Sequence, residues 1–116
     1  MPAIPGEAYQ YFENRIYLPM LIKVLEHDLE LIIKQPFKLH RPYIAMVENA
    51  LKNVKSDLKK TDIYLKRKNM KLVRENMTKE QSDYVFIHMG WEERKTYLNT
   101  QLRDRTEELL STYLIK

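Results

Sequence analysis

Seven residues in the middle of the chain, Ile44, Val47, Leu51, Val54, Leu58, Thr61 and Leu65, are separated by alternating steps of three and four. That spacing places them on one stripe of an α-helix and gives the stripe the period at which two helices lie side by side at a shallow angle. It predicts a helix from Pro42 to about Asn69, roughly 40 Å long. A rod of that length needs a partner along most of its stripe, so near-antiparallel packing is expected.

The preceding segment supplies a partner. Over residues 5 to 35, Leu18, Leu21, Ile22, Leu25, Leu29, Ile32 and Ile33 recur at helical spacing and define one apolar face. A second stripe, Tyr17, Met20, Val24, His27 and Leu31, runs beside it, which predicts contact with more than one neighbour. Pro19 lacks an amide hydrogen and crowds the preceding turn, so a kink or break is expected there. Pro36 and Pro42 bracket a short connection in which Phe37 and Leu39 are expected to anchor the bundle end.

After the heptad helix, residues 70 to 77 carry no helical stripe, and Met70-Lys71-Leu72 alternates, so a short extended arm is expected. Thr78-Lys79-Glu80-Gln81 reads as a capping box, in which the threonine hydroxyl accepts from an early helical amide and the glutamine reaches back. A third helix is then predicted to about Leu114, with Tyr84, Ile87, Trp91, Leu98, Leu102, Leu109 and Tyr113 as its apolar positions. Gly90 would lie in its interior at a cost of about 1 kcal/mol. Two glycines in 116 residues also suit long helices better than a sheet with many turns. The expected fold is therefore all-α, an up-down-up antiparallel three-helix bundle with long helices and a short extended arm before helix three. It would occupy residues 1–116 as one domain.

Three stretches, Ile16-Tyr17-Leu18-Pro19-Met20, Pro36-Phe37-Lys38-Leu39 and Glu92-Glu93-Arg94-Lys95-Thr96-Tyr97-Leu98-Asn99, resemble the YhjD-like family of small uncharacterised proteins of Bacillus-type bacteria. The resemblance spans most of the chain. It implies a bacterial cytosolic helical protein of unassigned function, and it carries no catalytic or binding residue with it.

Residue chemistry narrows the function classes. Cysteine is absent, so disulfides and thiolate metal sites are excluded, which fits a cytoplasmic setting. No secretory leader is visible, and no run approaches the roughly 18 apolar residues of a spanning helix, so no membrane role is expected. His27, His40 and His88 are far apart, and no Glu-x-x-His occurs, so no metal site and no cofactor are expected. No phosphate-binding glycine loop, Gly-x-Ser-x-Gly or cysteine nucleophile is present. The pairs Glu92-Glu93 and Glu107-Glu108 read as solvated faces, and no catalytic residues are expected.

Charge is unevenly spread. Residues 52 to 74 hold nine Lys/Arg and two Asp, a net of +7, in a chain of net +4, so everything outside that stretch carries −3. Lysine stems covering apolar surface explain such a face. Phosphate contacts by Lys59, Lys66, Arg67 and Lys68 would explain it too. Trp91 reads as a core residue, with a partner-binding anchor as its other reading. The surplus stripe of helix one, with Tyr17, Met20, Val24 and Leu31, is the expected self-association surface. The functional expectation is a non-enzymatic cytosolic interaction module, a homodimer or larger homo-oligomer acting as adaptor or regulator of unassigned pathway, with another protein as a further candidate partner. The alternative is a nucleic-acid-binding accessory protein using residues 52–74.

Overall fold

A computed structural model describes residues 4–36 and 38–115. Two helices, α1 (Ala8–Lys34) and α2 (Arg41–Arg67), are followed by strands β1 (Met70–Met77), β2 (Gln81–His88) and β3 (Trp91–Leu98) and by helix α3 (Asn99–Leu114). The fold is α+β, not the all-α three-helix bundle expected from the sequence.

The first two helices match their spacing. On α2, Val47, Ala50, Val54, Thr61 and Leu65 are buried, while Ile44, Leu51 and Leu58 are half-buried. Val47, Ala50, Leu51, Val54 and Leu58 pack with Leu18, Leu21 and Leu25 of α1, while Leu65 packs with Ala8, Phe12 and Ile16 nearer its start. Asn14 donates to Thr61 Oγ1 at 3.4 Å, and Arg15 pairs with Asp62 at 3.3 Å. The start of α1 therefore lies against the end of α2, and the two form an antiparallel hairpin. α1 runs without a break through Pro19. The lost amide bond is local, and buried residues on both sides of the proline, Ile16 to Leu18 and Leu21, hold the helix in place. Leu39 is 76% exposed and anchors nothing; Phe37 lies outside the described residues.

The correction concerns residues 78 to 98. The stripe assigned to a third helix is instead two strands, in a three-stranded antiparallel sheet ordered β1-β2-β3. Ser82, Tyr84 and Phe86 are buried at a period of two, and the run Tyr84-Val85-Phe86-Ile87 combines aromatic and β-branched side chains that suit a pleated surface. Met89 (φ 50°) and Gly90 (φ 85°) form the two-residue connection between β2 and β3, with His88 opposite Trp91. Positive φ at both central positions is the twist a tight hairpin requires, so Gly90 is a turn residue and not a helix interior. Thr78 does use its capping chemistry, but in the β1–β2 turn. Its Oγ1 accepts from the amides of Gln81 (3.0 Å) and Glu80 (3.3 Å). The glutamine that reaches back to a helix start is Gln101, whose Oε1 accepts from the Leu98 amide at 3.3 Å.

The inner face of the sheet packs on the first half of α1. Phe12 and Phe86, neither exposed, stack with ring centroids 4.5 Å apart, joined by Ile4, Ala8, Ile16, Tyr17, Leu65, Met70, Tyr84 and Leu102. On the outer face, Arg94 of β3 and Glu75 of β1 pair across the central strand, and Val85 between them is 4% exposed. Asn99 fastens α3 to the first hairpin: Ser82 Oγ donates to its Oδ1 at 2.7 Å, and its Nδ2 donates to the Thr78 carbonyl at 2.8 Å.

Tyrosine hydroxyls tie the layers together by donating to carboxylates. Tyr9 donates to Glu93 (2.7 Å), Tyr97 to Glu13 (3.2 Å), Tyr64 to Glu7 (3.4 Å) and Tyr113 to Asp57 (2.5 Å). Burial, together with the neighbouring carboxylates, raises the pKa of Tyr97 and Tyr113 well above the ordinary value near 10. Both effects disfavour phenolate.

Two outcomes follow from this packing. Phe12→Ala removes an unexposed ring from its stack and should cost about 3–5 kcal/mol in chemical denaturation, whereas Leu58→Ala, at a half-buried position, should cost less than about 2 kcal/mol. Equal losses would place the main core elsewhere. With tyrosine pKa values raised in the folded state, their contribution to stability is complete below pH 10. As pH rises further the unfolded chain releases tyrosine protons first, and stability falls until the folded pKa is passed. Urea midpoints measured upward from about pH 9 should drop, and Tyr97→Phe and Tyr113→Phe should each flatten that drop.

Candidate functional site

Because residues 81 to 98 are spent on strands, α3 has 16 residues, about 24 Å, against 27 residues, about 40 Å, in each of α1 and α2. It starts at the sheet, where Leu102 is buried, and ends on the helical hairpin, where Tyr113 is buried among Leu18, Leu21, Leu25, Val47, Ala50 and Val54. One side of α3 thus faces the core, and its flank meets the second stripe of α1.

Between those flanks lies a groove of about 530 Å3, with Met20 and Val24 on one wall and Leu102, Thr106 and Leu110 on the other. Arg103 and Glu107 stand at its rim. Leu110 also lines a second depression of about 410 Å3 with Leu25, Leu31, Ile32, Met46 and Leu114. The two depressions meet at Leu110 and together make an α1–α3 trough, whose lining also holds Ser82, Asn99, Asp28 and Gln35. Beyond the end of α3 the trough opens onto bare hairpin, where Leu31 (44%), Met46 (42%) and Tyr43 (50%) are exposed.

The four residues singled out for self-association divide. Met20, Val24 and Leu31 line the trough. Tyr17 does not: it is buried in the sheet core, and burial raises its pKa. At that turn of α1 the helix faces the sheet and not solvent, a neighbour the sequence reading did not include. The opposite wall, Leu102, Thr106, Leu110 and Leu114, was missed as a surface, although steps of four along α3 mark those positions as one face.

The basic residues spread over a different surface. Lys59 and Lys66 share the outer stripe of α2 with Lys55, around a shallow trough of about 350 Å3 that also holds Asp62 and Ile63. Arg67 ends the helix, and Lys68, beyond it, lies 6.0 Å from the Tyr64 ring centroid. Consecutive positions at a helix end diverge, so the four cations do not share one face. Trp91 is 64% exposed beside Met89 (71%) at the β2–β3 turn, which corrects the core reading: the hairpin tip carries it away from α1. His27 lies on α1, His40 just before α2 and His88 at the end of β2. Among the described residues no helix is long and apolar enough to cross a membrane.

A family model described as YhjD protein matches residues 3–116. The chain belongs to this family. It is similar to "Uncharacterized protein YhjD" of Bacillus subtilis (strain 168), with 30% identity over 114 residues, 98% of this chain and 95% of that protein. No solved structure matches. Both walls of the trough lie within the matched residues, so the resemblance carried by residues 16–20, 36–39 and 92–99 extends over the whole architecture.

Proposed function

We propose that the protein is a non-enzymatic cytoplasmic interaction module, an adaptor or regulator that self-associates through the α1–α3 trough. The observation that carries this reading is the amount of surface left open. A compact monomer of 14.1 kDa exposes about 6,700 Å2, whereas this chain exposes 8391 Å2 and measures 57 × 32 × 17 Å. A slab 17 Å thick leaves apolar surface open, and Val24, Leu31 and Met46 of the trough are among its exposed large apolar residues.

A second copy is the occupant the charges favour. Arg103 and Glu107 sit one turn apart on the rim. Glu107 has no ion pair among the described residues, and Arg103 only touches its neighbour Asp104 at 3.9 Å on exposed surface. A two-fold axis across α3 sets the arginine of each copy against the glutamate of the other, the self-complementary pattern of a symmetric dimer.

A second reading rests on the outer stripe of α2, where Lys55, Lys59 and Lys66 converge. That surface supports nonspecific contact with nucleic-acid phosphates and lies away from the trough.

Light scattering on a sizing column separates the two. The wild type should run as a dimer or larger species at high concentration. Val24→Glu, at a position already 36% exposed, should shift it toward monomer with an unchanged circular dichroism spectrum. A wild type that stays monomeric refutes self-association. In the same apparatus with duplex DNA at about 50 mM salt, a complex lost in Lys59→Gln/Lys66→Gln would support the second reading; no complex would end it.

A further inference from the structure

On the other side of Met20, between the middle of α1 and edge strand β1, is a separate cleft of about 360 Å3. Its floor is apolar, made by Ile16, Pro19, Met20 and Leu72, and three cations, Arg15, Lys23 and Arg74, surround it with no carboxylate in its lining. We propose that this cleft binds a small phosphorylated ligand, a phosphate monoester with an apolar substituent.

The charge count selects the ligand class. Arg15 is partly neutralised by Asp62 at 3.3 Å. Lys23 and Arg74 have no ion pair among the described residues, which leaves about two positive charges facing the cleft. A phosphate monoester carries about −1.5 to −2 at pH 7, whereas a carboxylate carries −1. The arginine forks match phosphate oxygens in geometry as well as charge.

The backbone aims the residues inward. Arg74 pairs with Tyr84 in the β1–β2 register, so both lie on the face of the sheet turned toward α1. The regular β1–β2 pairing ends directly after Arg74, where the register shifts before Met77. Tyr84 lines the cleft and is 3% exposed, yet its hydroxyl makes no hydrogen bond among the described residues. It is a free donor at the edge of a buried ring. Burial raises its pKa while the Arg74 charge pulls it down, which is consistent with the two groups being neighbours. An organic substituent would lie on Pro19, Met20 and Leu72, and the cleft volume falls at the small end of ligand pockets, about 300–1,000 Å3.

The test is a titration of the full chain with phenyl phosphate at low salt, followed by amide NMR shifts. Expected are saturable shifts confined to residues 15–23, 72–74 and 84, with inorganic phosphate binding more weakly for lack of the ring. Arg74→Gln and Lys23→Gln should each raise the Kd by about tenfold or more, while Lys59→Gln/Lys66→Gln on α2 should leave it unchanged. Both single variants alter exposed side chains, and an unchanged melting curve verifies folding. Shifts spread along α2, or a Kd unaffected by Arg74→Gln and Lys23→Gln, would overturn the site. Benzoate binding as tightly as phenyl phosphate would overturn the phosphate assignment. Arg74 could instead serve only to protect the sheet edge; Arg74→Gln would then aggregate with no loss of phenyl phosphate binding, which also refutes the proposal.

Discussion

The stack of Phe12 on Phe86 is the contact on which the rest of the architecture depends. It docks the inner face of a three-stranded sheet onto a helical hairpin held together by the α2 heptad. α1 is central to this arrangement because it serves two cores in succession. Ala8, Phe12, Ile16 and Tyr17 pack against the sheet, and Leu18, Leu21 and Leu25 pack against α2 and α3. The transition occurs at Tyr17 and Leu18, immediately before Pro19. The broad apolar surface of α1, which in a bundle would be surplus, is mostly consumed by having two different neighbours at its two ends.

That division has a geometric consequence. Chain spent on β2 and β3 shortens α3, and a short α3 covers only part of the hairpin. The far end of the trough, at Leu31, Met46 and Leu114, stays open because the third helix stops there. The proposed dimer surface is therefore a product of the sheet, although no strand residue apart from Ser82 lines it. Met20 borders both the trough and the cationic cleft on the far side of α1. A ligand in the cleft and a second copy in the trough would press on the same flexible side chain. One residue thus links the two proposed surfaces physically.

The misreading of residues 78 to 98 has a specific cause. The Thr78 hydroxyl and the amides two and three residues on form the same hydrogen bonds in a tight β-turn as at a helix start, so the local signal was read correctly and its context was not. Tyr84, Ile87, Trp91 and Leu98 fit helical spacing, but Ser82, Tyr84 and Phe86 fit strand spacing as well, and apolar residues at both intervals are compatible with either period. Met89 and Gly90 decided the matter through positive φ, a property of the folded turn. The scarcity of glycine also misled, since this sheet needs few: the first hairpin closes on threonine, and Asn69 takes the left-handed position before β1 with φ 55°.

By itself the sequence determined the helical hairpin. The 3-4 spacing of α2 and the Leu18 to Leu25 stripe of α1 bury only when the two rods lie antiparallel, a local periodicity that no later contact has to arbitrate. It also determined family membership and three of the trough residues, because Met20, Val24 and Leu31 lie off the face that α2 covers. Only the tertiary structure decided that residues 81 to 98 pair as strands, since strand pairing is satisfied by partners distant in sequence. For the same reason only the fold turned Tyr17 inward, put Trp91 on an exposed tip, and brought Arg15, Lys23 and Arg74 around one cleft. Those positions depend on where the sheet docks, and that is settled by the long-range contact of Phe12 with Phe86.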